Sequence, residues 1–150
     1  GMLPVYRGGT DVSVHMESAQ AVLDAGAIFA LFPEGTRAGT PLELSRFRRG
    51  VGLIGLRTGV PIVPVVVAGT WELYRGRRVA VRVLPPVDAL SLAGLSSAPE
   101  AGSAAELQAA KQATEALRAL LAPHYAECAA WAADPPSVRR RWRWLSGAFR

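Results

Sequence analysis

Short apolar runs alternate along the chain with stretches of helical periodicity, and this alternation limits the folds open to it. Residues 27–32 are continuously apolar, as in strands that are buried on both faces of a sheet. Residues 61–67 and 79–84 are rich in valine, a strand-forming residue. Apolar residues recur at helical spacing over 12–23, and a short helix is predicted over 51–57. Strands alternating with helices predict an α/β domain with a mostly parallel sheet flanked by helices.

Glycines and a capping pattern predict where the helices begin and end. Gly26 is expected to end the first helix, and Gly59 the second. Ser103 and Glu106 have the spacing of a capping box, which satisfies free backbone donors at a helix start. We expect a long helical C-terminal segment from about residue 104 to 121, resuming after Pro123 and running to about 133. Residues 85–99, made up largely of proline, serine, alanine and leucine, are expected to form a loop or linker. The predicted organisation is a domain over 1–90, a linker and helix over 91–136, and a basic aromatic tail over 137–150.

The charge and cysteine content restrict the partners of the chain. The net charge is +5, and arginine supplies the excess because Lys111 is the only lysine. Arginine suits forked contacts with phosphate, so the composition favours phosphorylated small molecules, acidic lipid head groups or nucleic acid. Cys128 is the single cysteine, which excludes an intramolecular disulfide and favours an inert, helical thiol. We predict no metal site, no signal peptide and no membrane span, since the longest apolar stretch is strand-length.

The turn after the first apolar run carries the most chemistry. Pro33 fixes its own φ, and Gly35 permits a tight turn or a close approach of backbone to ligand. Glu34, Thr36 and Arg37 place a carboxylate, a hydroxyl and a guanidinium around that turn. Free backbone N–H groups together with an arginine make an anion site. An ordinary strand-to-loop turn with a solvated ion pair would use the same residues.

The block Phe-Pro-Glu-Gly-Thr-Arg at residues 32–37 resembles one in the glycerol-phosphate and lysophosphatidate acyltransferase family. Three further segments of the chain resemble family blocks, and all four stand in the family's order and approximate spacing. Nothing in residues 91–150 is similar to that family, and the resemblance covers roughly residues 1–87. The three segments are residues 1–7, which end in Arg7, the basic Phe-Arg-Arg-Gly at 47–50, and Val-Pro-Ile-Val-Pro-Val at 60–65.

The resemblance implies a reaction and the residues that serve it. An acyl group would pass from acyl-CoA or acyl carrier protein to a hydroxyl of lysophosphatidate or glycerol 3-phosphate in phospholipid synthesis. No cofactor is implied, since the thioester is a co-substrate. Arg48 would help to hold a phosphate, or would lie in a solvated basic loop. Pro61 and Pro64 would shape the acyl-donor side, besides limiting strand pairing. The implied acceptor-binding residues are Arg7, Glu34, Gly35, Thr36 and Arg37.

The sequence departs from the family at its catalytic pair. The family uses a histidine as general base and an aspartate, with four residues between the two, to orient that base. Here His15 is followed five residues later by Gln20, and His124 by Ala129. We therefore expect no catalytic residue in this chain and no activity from it alone. A fragment or a gene start placed too late is the simplest explanation; a pseudoenzyme or a replaced base are the alternatives.

The tail interleaves cations with aromatic rings between Arg139 and Arg150. Tryptophan prefers the membrane interface, and arginine is drawn to anionic lipid. A solvated or packed helix end would have the same composition, and so would a segment that binds single-stranded nucleic acid. We expect a membrane surface as partner, no nucleic acid, and a cytoplasmic protein peripheral on the inner face of a membrane. The alternative to an acyltransferase is a non-catalytic module that binds phospholipid or a membrane surface.

Overall fold

The structure, a computed structural model, describes residues 12–35, 44–70 and 78–133, without the side chains of 12–15. These residues form an α/β arrangement of four helices and two short strands, which is the predicted fold class at its coarsest level. No helix in these ranges is long and apolar enough to cross a membrane. The elements in chain order are α1 (Val12–Asp24), α2 (Gly50–Thr58), β1 (Val65–Ala68), β2 (Ala80–Val83), α3 (Ala89–Ala93) and α4 (Ala104–Ala132).

Left-handed glycines end the first two helices, as predicted. Gly26 has φ 71° and follows α1, where the amide of Ala27 donates to the carbonyl of Val22 at 3.1 Å. Gly59 has φ 64° and donates its amide to the carbonyl of Gly55 at 3.0 Å. These bonds satisfy carbonyls that the last helical turn would otherwise leave without a donor.

Helix α4 begins at the predicted capping box and runs without interruption for 29 residues. Ser103 Oγ accepts from the amide of Glu106 at 3.1 Å, whereas the Glu106 carboxylate accepts from Gly102, one residue before the expected donor. Pro123 lies inside the helix and does not break it. A proline inside a helix costs about 3 kcal/mol. Burial of Leu121 and Cys128 on either side of Pro123 offsets that cost.

The sheet differs from the prediction of a mostly parallel sheet. Within the described residues it has two strands, which run antiparallel with Val65 opposite Val83 and Val67 opposite Val81. The predicted strand over 61–67 is shortened to β1, because Pro61 and Pro64 have no N–H to donate to a ladder. Strand β2 lies where the sequence placed it.

Two further predictions are corrected by the structure. Residues 27–32 do not form a buried strand: Ile28 is 93% exposed and Phe32 is 86% exposed. No described strand pairs with this segment, and an apolar run becomes a strand only where a neighbour takes up its backbone groups. The predicted linker over 85–99 contains the short helix α3, which Asp88 caps through a hydrogen bond from the amide of Ser91 at 2.8 Å.

Helix α4 is the centre of the core and packs against α2, α3 and both strands. Small residues allow the closest approach, since a Cβ on Gly52 of α2 would lie 2.2 Å from the carbonyl oxygen of Ala110 in α4. One face of the sheet is covered, with Val66 and Ala68 buried together with Leu117 and Leu121 of α4. On the opposite face the side chains of Val65, Val67, Val81 and Val83 are exposed.

Candidate functional site

Gly35 and Arg48 lie against each other at the centre of the predicted acceptor site. Gly35 closes a turn, donating its amide to the carbonyl of Phe32 at 3.2 Å, and has φ 66°. A Cβ on Gly35 would lie 2.5 Å from Nε and 2.7 Å from Cδ of Arg48, which passes over it. Glycine is therefore required at position 35 for two reasons: the backbone is left-handed, and Arg48 approaches too closely for a Cβ.

Two hydrogen bonds tie the Glu34–Gly35 turn to the segment 44–49. The amide of Ser45 donates to Glu34 Oε2 at 3.1 Å, and the amide of Arg48 donates to the carbonyl of Pro33 at 2.7 Å. Glu34 is half-buried and Arg48 is exposed. The structure thus brings together Glu34, Gly35 and Arg48, three of the residues that the sequence singled out.

An apolar groove of about 200 Å³ opens beside this cluster. Arg48 and Gly35 line one part of the groove, and most of the other described residues that line it are hydrophobic. A cationic group next to an apolar groove suits a ligand that joins a phosphate to a hydrocarbon chain. The apolar residues that line the groove are Phe29, Leu31, Phe32, Pro33, Val51 and Ile54.

Helix α4 supplies two residues to the site that the sequence did not indicate. Arg118 donates from Nε to the carbonyl of Ser45 at 3.1 Å and from Nη2 to the carbonyl of Leu44 at 3.0 Å. Burial raises the pKa of the Tyr125 hydroxyl, and the negative charge of Glu34 adds to the rise. The seven-residue spacing of Arg118 and Tyr125, which places them on one helix face, is the only sequence signal that could have joined them.

The other predicted site residues are not brought to this cluster. Arg7, Thr36 and Arg37 lie outside the described residues, so their part in acceptor binding stays a prediction. Pro61 is exposed and Pro64 is buried in the segment before β1, and neither lines the groove. Pro64 accepts at its carbonyl from the amide of Leu84 at 2.9 Å, which extends the sheet by one bond.

The two histidines were not expected to be the catalytic base. The side chain of His15 lies outside the described part of the chain. His124 Nδ1 lies 3.1 Å from Arg82 Nη1, and Arg82 also pairs with Glu127. This contact directs His124 toward β2. Among the described side chains, His124 is not one that lines the groove beside Arg48.

A second cavity, of about 330 Å³, lies beside an ion pair whose carboxylate is buried and whose guanidinium is partly exposed. Arg57 Nε and Nη2 donate to Glu106 Oε1 and Oε2 at 2.6 and 2.7 Å, and Glu106 is 2% exposed. The hydrogen bonds from Arg57 hold the pKa of Glu106 below its ordinary range. Because the two charges neutralise each other, this cavity offers no net charge to an anion, and the pair serves to join α2 to α4. The described residues contain no group of side chains fit to hold a metal ion.

Comparisons with known proteins find relatives of the N-terminal part of this chain. Residues 1–68 match the family model of the acyltransferases. The chain is 36% identical over 89 residues to 1-acyl-sn-glycerol-3-phosphate acyltransferase alpha of Mus musculus, which is 54% of this chain and 31% of the relative. It is 39% identical over 88 residues to the alpha protein of Homo sapiens, again 54% of this chain and 31% of the relative.

A plant relative gives the same result over a shorter stretch. The 1-acyl-sn-glycerol-3-phosphate acyltransferase of Cocos nucifera is 41% identical over 69 residues, which is 46% of this chain and 22% of that protein. The chain therefore spans about a third or less of the length of these curated relatives. No solved structure matches the chain at a significant level.

Proposed function

We propose that this chain, whose residues 1–68 match the family model of the acyltransferases, binds the phosphorylated glycerol that accepts an acyl group in phospholipid synthesis. The observation that carries the proposal is Arg48, held across Gly35 at the edge of an apolar groove. The acceptor that fits best is 1-acyl-glycerol 3-phosphate, because it has both a phosphate and a hydrocarbon chain. Glycerol 3-phosphate is the smaller candidate.

Each part of the site has a role toward that acceptor. The guanidinium of Arg48 offers forked, permanently charged donors to the phosphate. The carboxylate of Glu34, which accepts from the amide of Ser45, would accept a hydrogen bond from a glycerol hydroxyl. The groove takes the acyl chain of the acceptor, whose transfer out of water favours binding. Arg7, Thr36 and Arg37 are proposed as additional phosphate donors, and Pro61 and Pro64 as the acyl-donor side.

The chemical step needs a base that this sequence does not provide as a His-x4-Asp pair. An acceptor hydroxyl attacks the thioester of acyl-CoA or acyl carrier protein only when its proton is taken up. We propose that the 150 residues bind the acceptor and do not turn it over, and that no cofactor takes part. If the coding sequence in frame before Gly1 encodes the pair, the extended chain should transfer acyl groups.

An acyl-transfer assay tests this proposal. The 150-residue chain and a chain extended to include any upstream His-x4-Asp pair are given acyl-CoA or acyl carrier protein with each acceptor. We expect transfer by the extended chain alone, lost in Arg48→Gln and kept in Arg46→Gln, a change at an exposed arginine two residues away. Failure of the extended chain to acylate any glycerol-phosphate acceptor would contradict the proposal.

A second candidate function is binding to an anionic membrane surface, and one contact favours it. Trp131, near the end of α4, is 57% exposed, and the guanidinium carbon of Arg78 lies 5.6 Å from its ring centroid. Trp131 is one of four tryptophans, and the other three lie in residues 71–77 and 139–150, both rich in arginine. Exposed tryptophan beside arginine is typical of proteins that sit at a lipid head-group layer. A peripheral position on the inner face of a membrane would follow.

Sedimentation with vesicles tests the membrane proposal. The chain should sediment with vesicles that contain phosphatidylserine and stay in solution with neutral phosphatidylcholine vesicles. Trp131→Ala and removal of residues 139–150 should each weaken the binding, and high salt should abolish it. A chain that stays in solution with both kinds of vesicle would rule this function out.

A further inference from the structure

Arg118 connects helix α4 to the segment that shapes the acceptor site. Its Nε and Nη2 donate to the carbonyls of Ser45 and Leu44, two successive residues, at 3.1 and 3.0 Å. The planar guanidinium presents these donors in a fixed fork, so it sets both the position and the orientation of that peptide. Arg118 lies outside residues 1–68, which match the family model.

Ser45 links Arg118 to Glu34. Ser45 accepts from Arg118 at its carbonyl and donates from its amide to Glu34 Oε2 at 3.1 Å. Three positions further on, the amide of Arg48 donates to the carbonyl of Pro33. The segment 44–48 is therefore held on one side by α4 and on the other side by the turn that contains Glu34 and Gly35.

Helix α4 is a rigid support for this contact. Leu117 and Leu121, on either side of Arg118, are buried in the core, and Glu106 at the helix start is paired with Arg57. Arg118 itself is only half-buried, and its described partners are carbonyls of the segment 44–48 and not core groups. Loss of its side chain would free the segment and leave the core contacts of α4 in place.

We infer that Arg118 is a positioning residue of the acceptor site: it holds the segment 44–48 so that the Glu34 carboxylate and the Arg48 guanidinium keep their separation. The inference rests on the proposed function for the identity of the ligand. The mechanical link between Arg118, Ser45 and Glu34 does not depend on it. With the link intact, the acceptor meets a carboxylate and a guanidinium that are already in place, which lowers the ordering cost of binding.

Amide hydrogen exchange in the full 150-residue chain tests the mechanical link without any ligand. Arg118→Met should reduce the protection of the Ser45 amide about tenfold, the effect expected when a charged hydrogen bond that orders it is lost. Arg118→Lys should restore part of the protection, because the ammonium can still donate to a carbonyl. Lys111→Met, at an exposed position of the same helix, should change nothing. Unchanged protection of Ser45 in Arg118→Met would overturn the inference, and so would an equal loss along α2, which marks general unfolding.

Titration with glycerol 3-phosphate then tests the consequence for the site. Arg118→Met should bind it about tenfold more weakly than the unaltered chain, Arg118→Lys should lie between them, and Lys111→Met should match the unaltered chain. If Ser45 is freed while binding stays the same, Arg118 has no positioning role. If the unaltered chain binds neither glycerol 3-phosphate nor a short-chain 1-acyl-glycerol 3-phosphate, the proposed function fails, and the exchange experiment still decides whether Arg118 holds Glu34.

Discussion

Residues 27–35 and helix α4 differ in how much of their apolar surface is buried. Ile28 and Phe32, in the part of the chain that matches the family, have most of their surface exposed. In α4, which lies outside that match, Ala110 and Leu117 are almost fully buried. The residues of the candidate site, which match the family, are thus supported by a helix that lies outside the match.

This difference has a physical cause. A ligand site needs exposed polar groups in a turn, and a turn of this kind contributes little burial to hold itself in place. Helix α4 has alanines at the positions that face α2 and α3, which lets the helices approach closely and bury a continuous surface. The site therefore depends on support from a distant part of the sequence, through Arg118 and the packing of α4.

The largest expected effect is at the contact between α2 and α4. Gly52→Val would place a Cβ 2.2 Å from the carbonyl oxygen of Ala110. This oxygen belongs to the backbone of α4, which cannot move aside as a side chain can. We expect a loss of about 4 kcal/mol in the free energy of unfolding, measured by urea denaturation. The control is Gly50→Ala at the start of the same helix, where a Cβ meets nothing within 4 Å. Equal stability of the two variants would contradict the close packing of α2 on α4.

The ion pair between the same two helices is expected to come next. Glu106→Gln removes a buried carboxylate and its charged hydrogen bonds from the partly exposed Arg57, so we expect a loss of about 2 kcal/mol at neutral pH. The matched control is Glu115→Gln, at an exposed position of α4, which should change little.

The pH dependence of this loss follows from the lowered pKa of Glu106. A carboxyl whose pKa is lower in the folded state stabilises the protein above its unfolded pKa, and this contribution is lost as pH falls through the folded pKa. The difference between the unaltered chain and Glu106→Gln should therefore shrink once the pH falls below the ordinary glutamate range. A difference that stays constant in acid would show that the charge of Glu106 is not what stabilises the contact.

A smaller effect on stability, with a specific effect on the site, is expected at Gly35. Gly35→Ala should cost about 1–2 kcal/mol for the left-handed φ and should also displace Arg48. Gly26→Ala is the matched control, because Gly26 has a similar φ of 71° and a Cβ there meets nothing within 4 Å. Calorimetric titration with glycerol 3-phosphate should show binding lost in Gly35→Ala and kept in Gly26→Ala. Equal binding by the two variants would contradict a role of Arg48 in binding the phosphate.

The smallest effect is expected at the exposed ion pair between β2 and α4. The Glu127 side chain is largely exposed, although the hydrogen bond from Arg82 lowers the pKa of its carboxyl. Exposed pairs of this kind contribute little because water and salt screen them. Thermal unfolding of Glu127→Gln should match that of the unaltered chain within error. A clear loss would mean that α4 is also held to the sheet by charge.

The parts of the fold that local signals determine could be predicted from the sequence. Gly26, Gly59 and Ser103 mark helix ends through their own backbone preferences and hydrogen bonds, and they lie where expected. The prediction of a strand over 27–32 was wrong because strand formation depends on a partner strand elsewhere in the chain. Helix α3 was missed because its signals, Asp88 before it and Gly94 after it, enclose only five residues within a proline-rich stretch.

The site was predictable only in its family-matching part. The order of the blocks predicted that Glu34, Gly35 and Arg48 serve one site, and the structure brings these three together. Arg118 is separated from Ser45 by 73 positions and from Leu44 by 74. No local pattern marks contacts over such distances, because they follow from how α4 packs on the rest of the chain.

The most direct test of a phosphate site at Gly35 and Arg48 is a calorimetric titration with two short-chain lipids below their micelle concentration. One is a 1-acyl-glycerol 3-phosphate, and the other is the same monoacylglycerol without its phosphate. We expect the phosphorylated lipid to bind more tightly, Arg48→Gln to remove the difference and Arg46→Gln to keep it. Equal affinity of the unaltered chain for the two lipids would contradict a phosphate site at Gly35 and Arg48.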